Sequence, residues 1–110
     1  MESKKFVLGK ELTWMPSGKG MERHVMGYND DLMVVEVKFV KDGLAPMHKH
    51  PHTQSSYIVS GKFEFTVDGD MMVVQAGDGV LIKPDQEHMC QCLEPGIIID
   101  TFSPAREDFV

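Results

Sequence analysis

Cysteine is scarce in this chain, and the two present, Cys90 and Cys92, are separated by a single residue. On an extended strand that spacing points both thiols the same way without placing them for a disulfide. A stapled secreted scaffold is thereby excluded, and a reduced, cytoplasmic protein is expected. Long apolar runs are also missing. Nothing approaches the ~20 residues of a membrane span, and Met1 to Gly9 holds only the short run Phe6-Val7-Leu8, too little for the core of a signal peptide. Basic charge is in deficit: eleven Lys and Arg against seventeen Asp and Glu leave a net charge of −6. With its basic residues scattered rather than striped, the chain has no general pull toward nucleic acid or an anionic membrane. No repeat or low-complexity segment is evident, and no convincing helix precedes the C-terminus.

What remains is 110 residues of ordinary globular composition, enough for one core, so a single domain over 1–110 is expected. Turn signals punctuate it: Asn29-Asp30, Asp42-Gly43, Ser60-Gly61-Lys62, Asp68-Gly69, Ala76-Gly77-Asp78-Gly79 and Glu94-Pro95-Gly96. Short β-branched or aromatic runs lie between them, Leu32 to Val40, Tyr57 to Val59, Phe63 to Val67, Met71 to Val74, Val80 to Ile82 and Ile97 to Phe102. That rhythm marks an all-β sandwich or barrel. Val35-Glu36-Val37-Lys38-Phe39 and Phe63-Glu64-Phe65-Thr66-Val67 alternate as half-buried antiparallel strands do. Asp68-Gly69 predicts a hairpin joining Phe63–Val67 to Met71–Val74. At the end, Ser103-Pro104-Ala105-Arg106-Glu107-Asp108 offers an N-cap, a first-position proline and early acids, which predicts about one turn of helix. The nine methionines read mainly as core filler, with a soft pocket lining as the alternative.

Histidine is concentrated in two places: His48, His50 and His52 in Met47-His48-Lys49-His50-Pro51-His52, and His88 in Gln86-Glu87-His88-Met89. Residues two apart on a strand share a face and lie ~6.5–7 Å apart, close enough for two imidazoles to reach one ion. His48 and His52 would be ~13 Å apart on a straight strand, so one of the three must stand aside. Pairing His48 with His50 leaves Gln54 next along the chain as an oxygen donor; pairing His50 with His52 leaves the poorer Ser56. The expected set is therefore His48, His50 and Gln54, closed by His88 from a neighbouring strand. Taken alone, a His-x-His beside a proline reads at least as well as a run of surface histidines.

The context changes that balance. Gly43 to Gly61 resembles the first cupin motif, with its His-x-His, and Gly77 to His88 resembles the second. Departures are specific: Gly43 to His48 is one residue short, Gln54 replaces the usual Glu, Lys83 and Asp85 replace a Pro and a Gly, and Cys92 takes the usual Asn position. The resemblance implies a jelly-roll (double-stranded β-helix) barrel holding one divalent transition metal ion at its mouth, Ni, Zn, Mn, Fe or Cu. A neutral Gln54 would leave the ion's charge uncompensated, giving a more electrophilic site that favours anionic ligands. Proton competition for the histidines is expected to lower occupancy below pH ~6.5.

The C-terminal run is the second informative region. Alternation puts Ile98, Asp100 and Phe102 on one face and Ile97, Ile99 and Thr101 on the other. If the first face looks inward, Asp100 is a carboxylate beside an apolar cavity, its pKa raised by desolvation and opposed by any nearby cation. Arg106 is then a candidate clamp for a substrate carboxylate. The alternative is a surface Asp100 and an Arg106 paired with Glu107 or another acid. Asp100-Thr101-Phe102-Ser103-Pro104-Ala105-Arg106-Glu107-Asp108-Phe109, with His48 to Gln54 and Gly61 to Val67, resembles the KdgF-type pectin-degradation cupins nearly end to end. That resemblance implies linearisation of unsaturated monouronates, a metal set of His48, His50, Gln54 and His88, and a catalytic set of Asp100, Phe102 and Arg106. The expected partner is a small anionic sugar, and a homodimer is expected by the same analogy. His24, Tyr57, His52 and Glu64 are read chiefly as structural or exposed. Two other readings stay open: a cupin oxygenase, and a non-catalytic sugar- or metal-binding module.

Overall fold

A computed structural model describes residues 1–110. A 3₁₀ turn at Gly9–Glu11 precedes eight strands, β1 (Met15–Tyr28), β2 (Met33–His48), β3 (Thr53–Ile58), β4 (Lys62–Val67), β5 (Asp70–Gln75), β6 (Gly79–Ile82), β7 (His88–Glu94) and β8 (Gly96–Ser103); a last 3₁₀ turn covers Glu107–Phe109. The strands hydrogen-bond in the order β5-β4-β7-β2-β8-β3-β6, with β1 added to β2, and curl into a nearly closed barrel, the jelly-roll expected of a cupin.

Strand β2 organises the barrel. Its first half, Met33 to Phe39, pairs with β8, and its last residues, Leu44 to His48, pair with β7. Asp42-Gly43 reads in the sequence as a turn between strands, but it is a kink inside one continuous strand. Asp42 takes a positive φ of 67°, and β1 runs alongside with Gly20 at a positive φ of the same size. The two glycines let the backbones cross: a Cβ on Gly43 would lie 2.7 Å from the Gly20 carbonyl oxygen. Only glycine accepts that approach, and beyond the bend β2 pairs with β7, which sets His48 opposite His88.

Asp68-Gly69 does make the expected hairpin between β4 and β5. Both residues have positive φ, 48° and 84°, and Val67 faces Asp70 across the turn. Two left-handed residues in a two-residue loop make a type I′ turn, whose twist matches the flanking strands.

The core follows the alternation. Val35, Val37 and Phe39 from β2, and Phe63 and Phe65 from β4, point inward with Ile58, Ile82, Ile98 and Phe102. Phe63 is fully buried and meets Phe39 edge-on at 5.0 Å between ring centroids. Three inward stripes change character along their length. On β3, Ile58 gives way to Ser56 and Gln54; on β7, Cys92 and Cys90 lead to His88; on β8, Ile98 is followed by Asp100. The barrel therefore has an apolar end and a polar end. Both cysteines are buried and free, on the same face of β7.

The predicted C-terminal helical turn starts later than its proline suggests. Ser103 still belongs to β8, the Ala105 N–H donates to the Asp30 carbonyl at 3.1 Å, and Arg106 remains extended, which postpones the turn to Glu107. Phe63→Ala should lower stability by about 3–5 kcal/mol, read by urea unfolding; a loss under about 1 kcal/mol would contradict this packing account.

Candidate metal centre

His48 closes β2, His88 opens β7, and the two are direct cross-strand partners. His50 lies in the short loop between β2 and β3, where its carbonyl accepts from the Asp85 N–H at 2.8 Å; this ties the loop to the turn before β7. The three potential ligand nitrogens lie within 4.8 Å of one another, so this three-histidine group can hold a metal ion. His50 and His88 are buried, while His48 is on the solvent side.

Each imidazole is held from behind by a main-chain carbonyl two residues away. His48 Nδ1 is 2.8 Å from Pro46 O, His88 Nδ1 is 2.8 Å from Gln86 O, and His50 Nδ1 is 3.2 Å from His52 O. A neutral imidazole has one N–H; donated from Nδ1, it leaves Nε2 as a bare lone pair. His88 Nε2 is buried with no partner in the chain. A buried lone pair left unpaired is costly, and a metal ion is the partner that suits it.

Gln54 supplies the fourth direction. Its Nε2 donates to Ser56 Oγ at 3.1 Å, and the Ser56 hydroxyl donates to Asp100 Oδ1 at 2.5 Å. That chain orients the amide so that Oε1 faces His50 Nε2 at 2.9 Å. With the His50 proton on Nδ1, two lone pairs point into one space, an arrangement that favours a cation there. Three neutral imidazoles and one amide oxygen fit a divalent transition ion without selecting which.

Next to this group lies a cavity of about 260 Å³, whose walls include His48, Gln54, His88, Asp100, Phe102 and Arg106. The inward face of β8 is thus Ile98, Asp100 and Phe102. Asp100 is half-buried. Burial pushes its carboxyl up to about 6, against the pull of Ser56, Gln54 and the Arg106 charge. Phe102 is buried and lies edge-on to His50, 5.7 Å between centroids. Arg106 reaches the cavity, but its guanidinium makes a bidentate pair with Asp108, at 3.1 and 3.0 Å, and stacks on Phe109. The acid that holds it is Asp108, not Glu107.

His52 is left outside the three-histidine group; its ring meets His50 edge-on and its carbonyl holds the His50 ring. Nor do His24, Tyr57 and Glu64 line the cavity. His24 is buried elsewhere, stacked on Trp14 at 3.9 Å and 2.5 Å from Glu36 Oε1. Among the lining residues that sequence reasoning missed, the charged one is Arg23 on β1. The sequence carries a signal for it, since Met21, Arg23 and Val25 alternate with Glu22 and His24, but Pro16, Gly18 and Gly20 mask the strand.

Burial also lowers His50, and pushes His88 down to about 4. Proton competition at these two ligands therefore sets in below the pH ~6.5 expected of free imidazole. The effects on stability have opposite signs. His88 binds a proton less readily folded than unfolded, so its contribution is complete above pH ~6.5 and is lost as the pH falls toward 4. Asp100 is the reverse: its raised pKa makes ionisation a burden on the fold as the pH rises from about 4 to 6. In chelator-treated protein the Asp100 slope should offset part of the loss from His88 and His50. Asp100→Asn should therefore lose more stability than wild type between pH 6.5 and 4.5, measured by urea unfolding; equal losses would contradict the assignment.

The comparisons with known proteins agree with this architecture. The family model described as Cupin domain matches residues 35–102. The pectin degradation protein KdgF of Dickeya dadantii is 35% identical over 109 residues, 97% of this chain and 99% of that protein. Among solved structures, an RmlC-like cupin from Shewanella frigidimarina superposes with a TM-score of 0.96 at 42% identity, covering 99% of this chain and 98% of that one. KdgF from Halomonas sp. superposes with a TM-score of 0.92 at 32% identity, covering 98% and 100%.

Proposed function

The chain belongs to the cupin domain family and, within it, to the KdgF-like proteins, and from that premise we propose that it linearises 4,5-unsaturated monouronates released in pectin or alginate breakdown. The observation that carries the reading is one shared cavity: Asp100, with a pKa near 6, faces the same space as His48, His88, Phe102 and Arg106. At about 260 Å³ the space lies below the ~300–1,000 Å³ common for larger ligands. A single sugar ring suits it better than an oligosaccharide.

The substrate is both a cyclic enol ether and a hemiacetal. Loss of the anomeric hydroxyl proton breaks the bond from carbon 1 to the ring oxygen, leaving an aldehyde at carbon 1 and an enolate at carbon 5. Protonation at carbon 4 then turns the enolate into a ketone. One proton is removed and one delivered, the formula is unchanged, and no electrons leave the substrate.

A single group can serve both transfers if it is ionised for the first and protonated for the second. Asp100 titrating near neutrality meets that requirement, and the Ser56 hydroxyl fixes one of its oxygens. Phe102 offers an aromatic surface for the sugar ring, and Arg106 a planar fork for its carboxylate once Asp108 yields. His48, His50, Gln54 and His88 would hold the metal, which supplies positive charge to polarise sugar oxygens when bound.

The test is to supply lyase-generated unsaturated monouronate to the metal-loaded protein and follow the ultraviolet absorbance of the enol ether. Wild type should accelerate its decay, and Asp100→Asn should slow turnover by about 10²–10⁴-fold. Equal rates for the two proteins would reject the proposal. Oxygen consumption with turnover would assign the site to an oxygenase, and binding without conversion to a sugar-binding module.

A further inference from the structure

We infer that Arg23 is a second anion-binding residue of the cavity and presents the free guanidinium edge that the substrate carboxylate meets first. The inference rests on the uronate reading above.

Arg23 stands on the inward face of β1, opposite Val37, which is buried in the barrel. Its neighbours on that face, Met21 and Val25, pack against the core. An arginine in the middle of an apolar inward stripe is expensive to desolvate, and burial does disfavour its charged form. Nothing in the chain offsets this with a hydrogen bond or ion pair to its guanidinium. Asp108 is near enough for Arg23 to feel its charge, but its two oxygens are taken by Arg106.

The contrast between the two arginines is the core of the argument. Both stack on Phe109, with Cζ 3.7 Å from the ring centroid for Arg23 and 4.3 Å for Arg106. Stacking covers the face of a guanidinium and leaves its N–H edges in the ring plane available. At Arg106 that edge is already occupied by a carboxylate of the protein. At Arg23 no carboxylate or carbonyl occupies it, and Arg23 lines the cavity. Arg23 and Arg106 have only Asp108 between them, and the carboxylate that lines the cavity, Asp100, is engaged by Ser56. The unpaired guanidinium of Arg23 suits a monoanionic sugar, whereas a neutral sugar gains nothing from its charge.

Calorimetry on the metal-loaded protein can test this with D-galacturonate, a saturated uronate that cannot react, and D-galactose as the neutral control. Wild type should bind galacturonate more tightly than galactose. Arg23→Gln should weaken galacturonate about tenfold or more while leaving galactose unchanged, and should raise KM for the unsaturated monouronate more than it lowers kcat. Arg23→Lys, which keeps the charge and the packed stem but loses the fork, should recover part of the loss and keeps the comparison available if Arg23→Gln does not fold. Galacturonate affinity unchanged in Arg23→Gln, equal weakening toward both sugars, or no preference for galacturonate in wild type would each overturn the inference. Arg23-dependent preference for galacturonate in a protein that does not turn over the unsaturated sugar would uphold it while rejecting the linearisation reading.

Discussion

Three hydrogen bonds on the far side of the imidazoles underlie the polar end of this barrel. By occupying Nδ1 of His48, His50 and His88, the carbonyls of Pro46, His52 and Gln86 leave all three Nε2 atoms as acceptors. Such bonds fix both the tautomer and the direction of a metal-binding histidine. Because the partners are main-chain groups two residues away, the aim of each ring follows from the path of the backbone. The kink at Asp42-Gly43 therefore shapes the site from a distance, and the tie between Asp85 and His50 does so through the main chain of a site residue.

A polar relay joins this group to the only carboxylate lining the cavity. Gln54 faces His50 with its oxygen and Ser56 with its nitrogen, and the Ser56 hydroxyl donates in turn to Asp100. The register of β3 against β8 makes this possible: Ser56 lies opposite Asp100, and Gln54 opposite Phe102. A glutamate at position 54 could not donate to Ser56, and it would add a negative charge beside an acid that burial already discourages from ionising. The neutral amide thus serves two neighbours at once, keeping positive charge at the histidines and limiting repulsion at Asp100.

Much of this was legible before any coordinates. Strict alternation identified the inward faces of β2 and β4 and sorted β8 into two faces without choosing between them, and Asp68-Gly69 announced its turn, because both signals are local. Strand β1 escaped because Pro16, Gly18 and Gly20 break its pattern, and it is held by pairing with β2, a contact distant in sequence. Arg23 was lost with it. Asp42-Gly43 reads as a turn for a related reason: a positive φ signals a turn unless remote partners keep the chain in its strand on either side of the kink, as β8 does up to Phe39 and β7 does from Leu44. The Arg106–Asp108 pair depends on where the last turn begins, which is set by the hydrogen bond from Ala105 to Asp30. Local chemistry was readable from the sequence, while choices decided by remote partners were not.

The convergence of the imidazoles is the claim to test most directly. X-ray absorption at the metal edge, on protein loaded with one equivalent of Ni²⁺ or Zn²⁺, counts and identifies the donors. The structure predicts a shell of nitrogen and oxygen donors at ~2.0–2.2 Å with the outer-shell scattering of three imidazoles. A shell of water and carboxylate oxygen with one imidazole or none would contradict it.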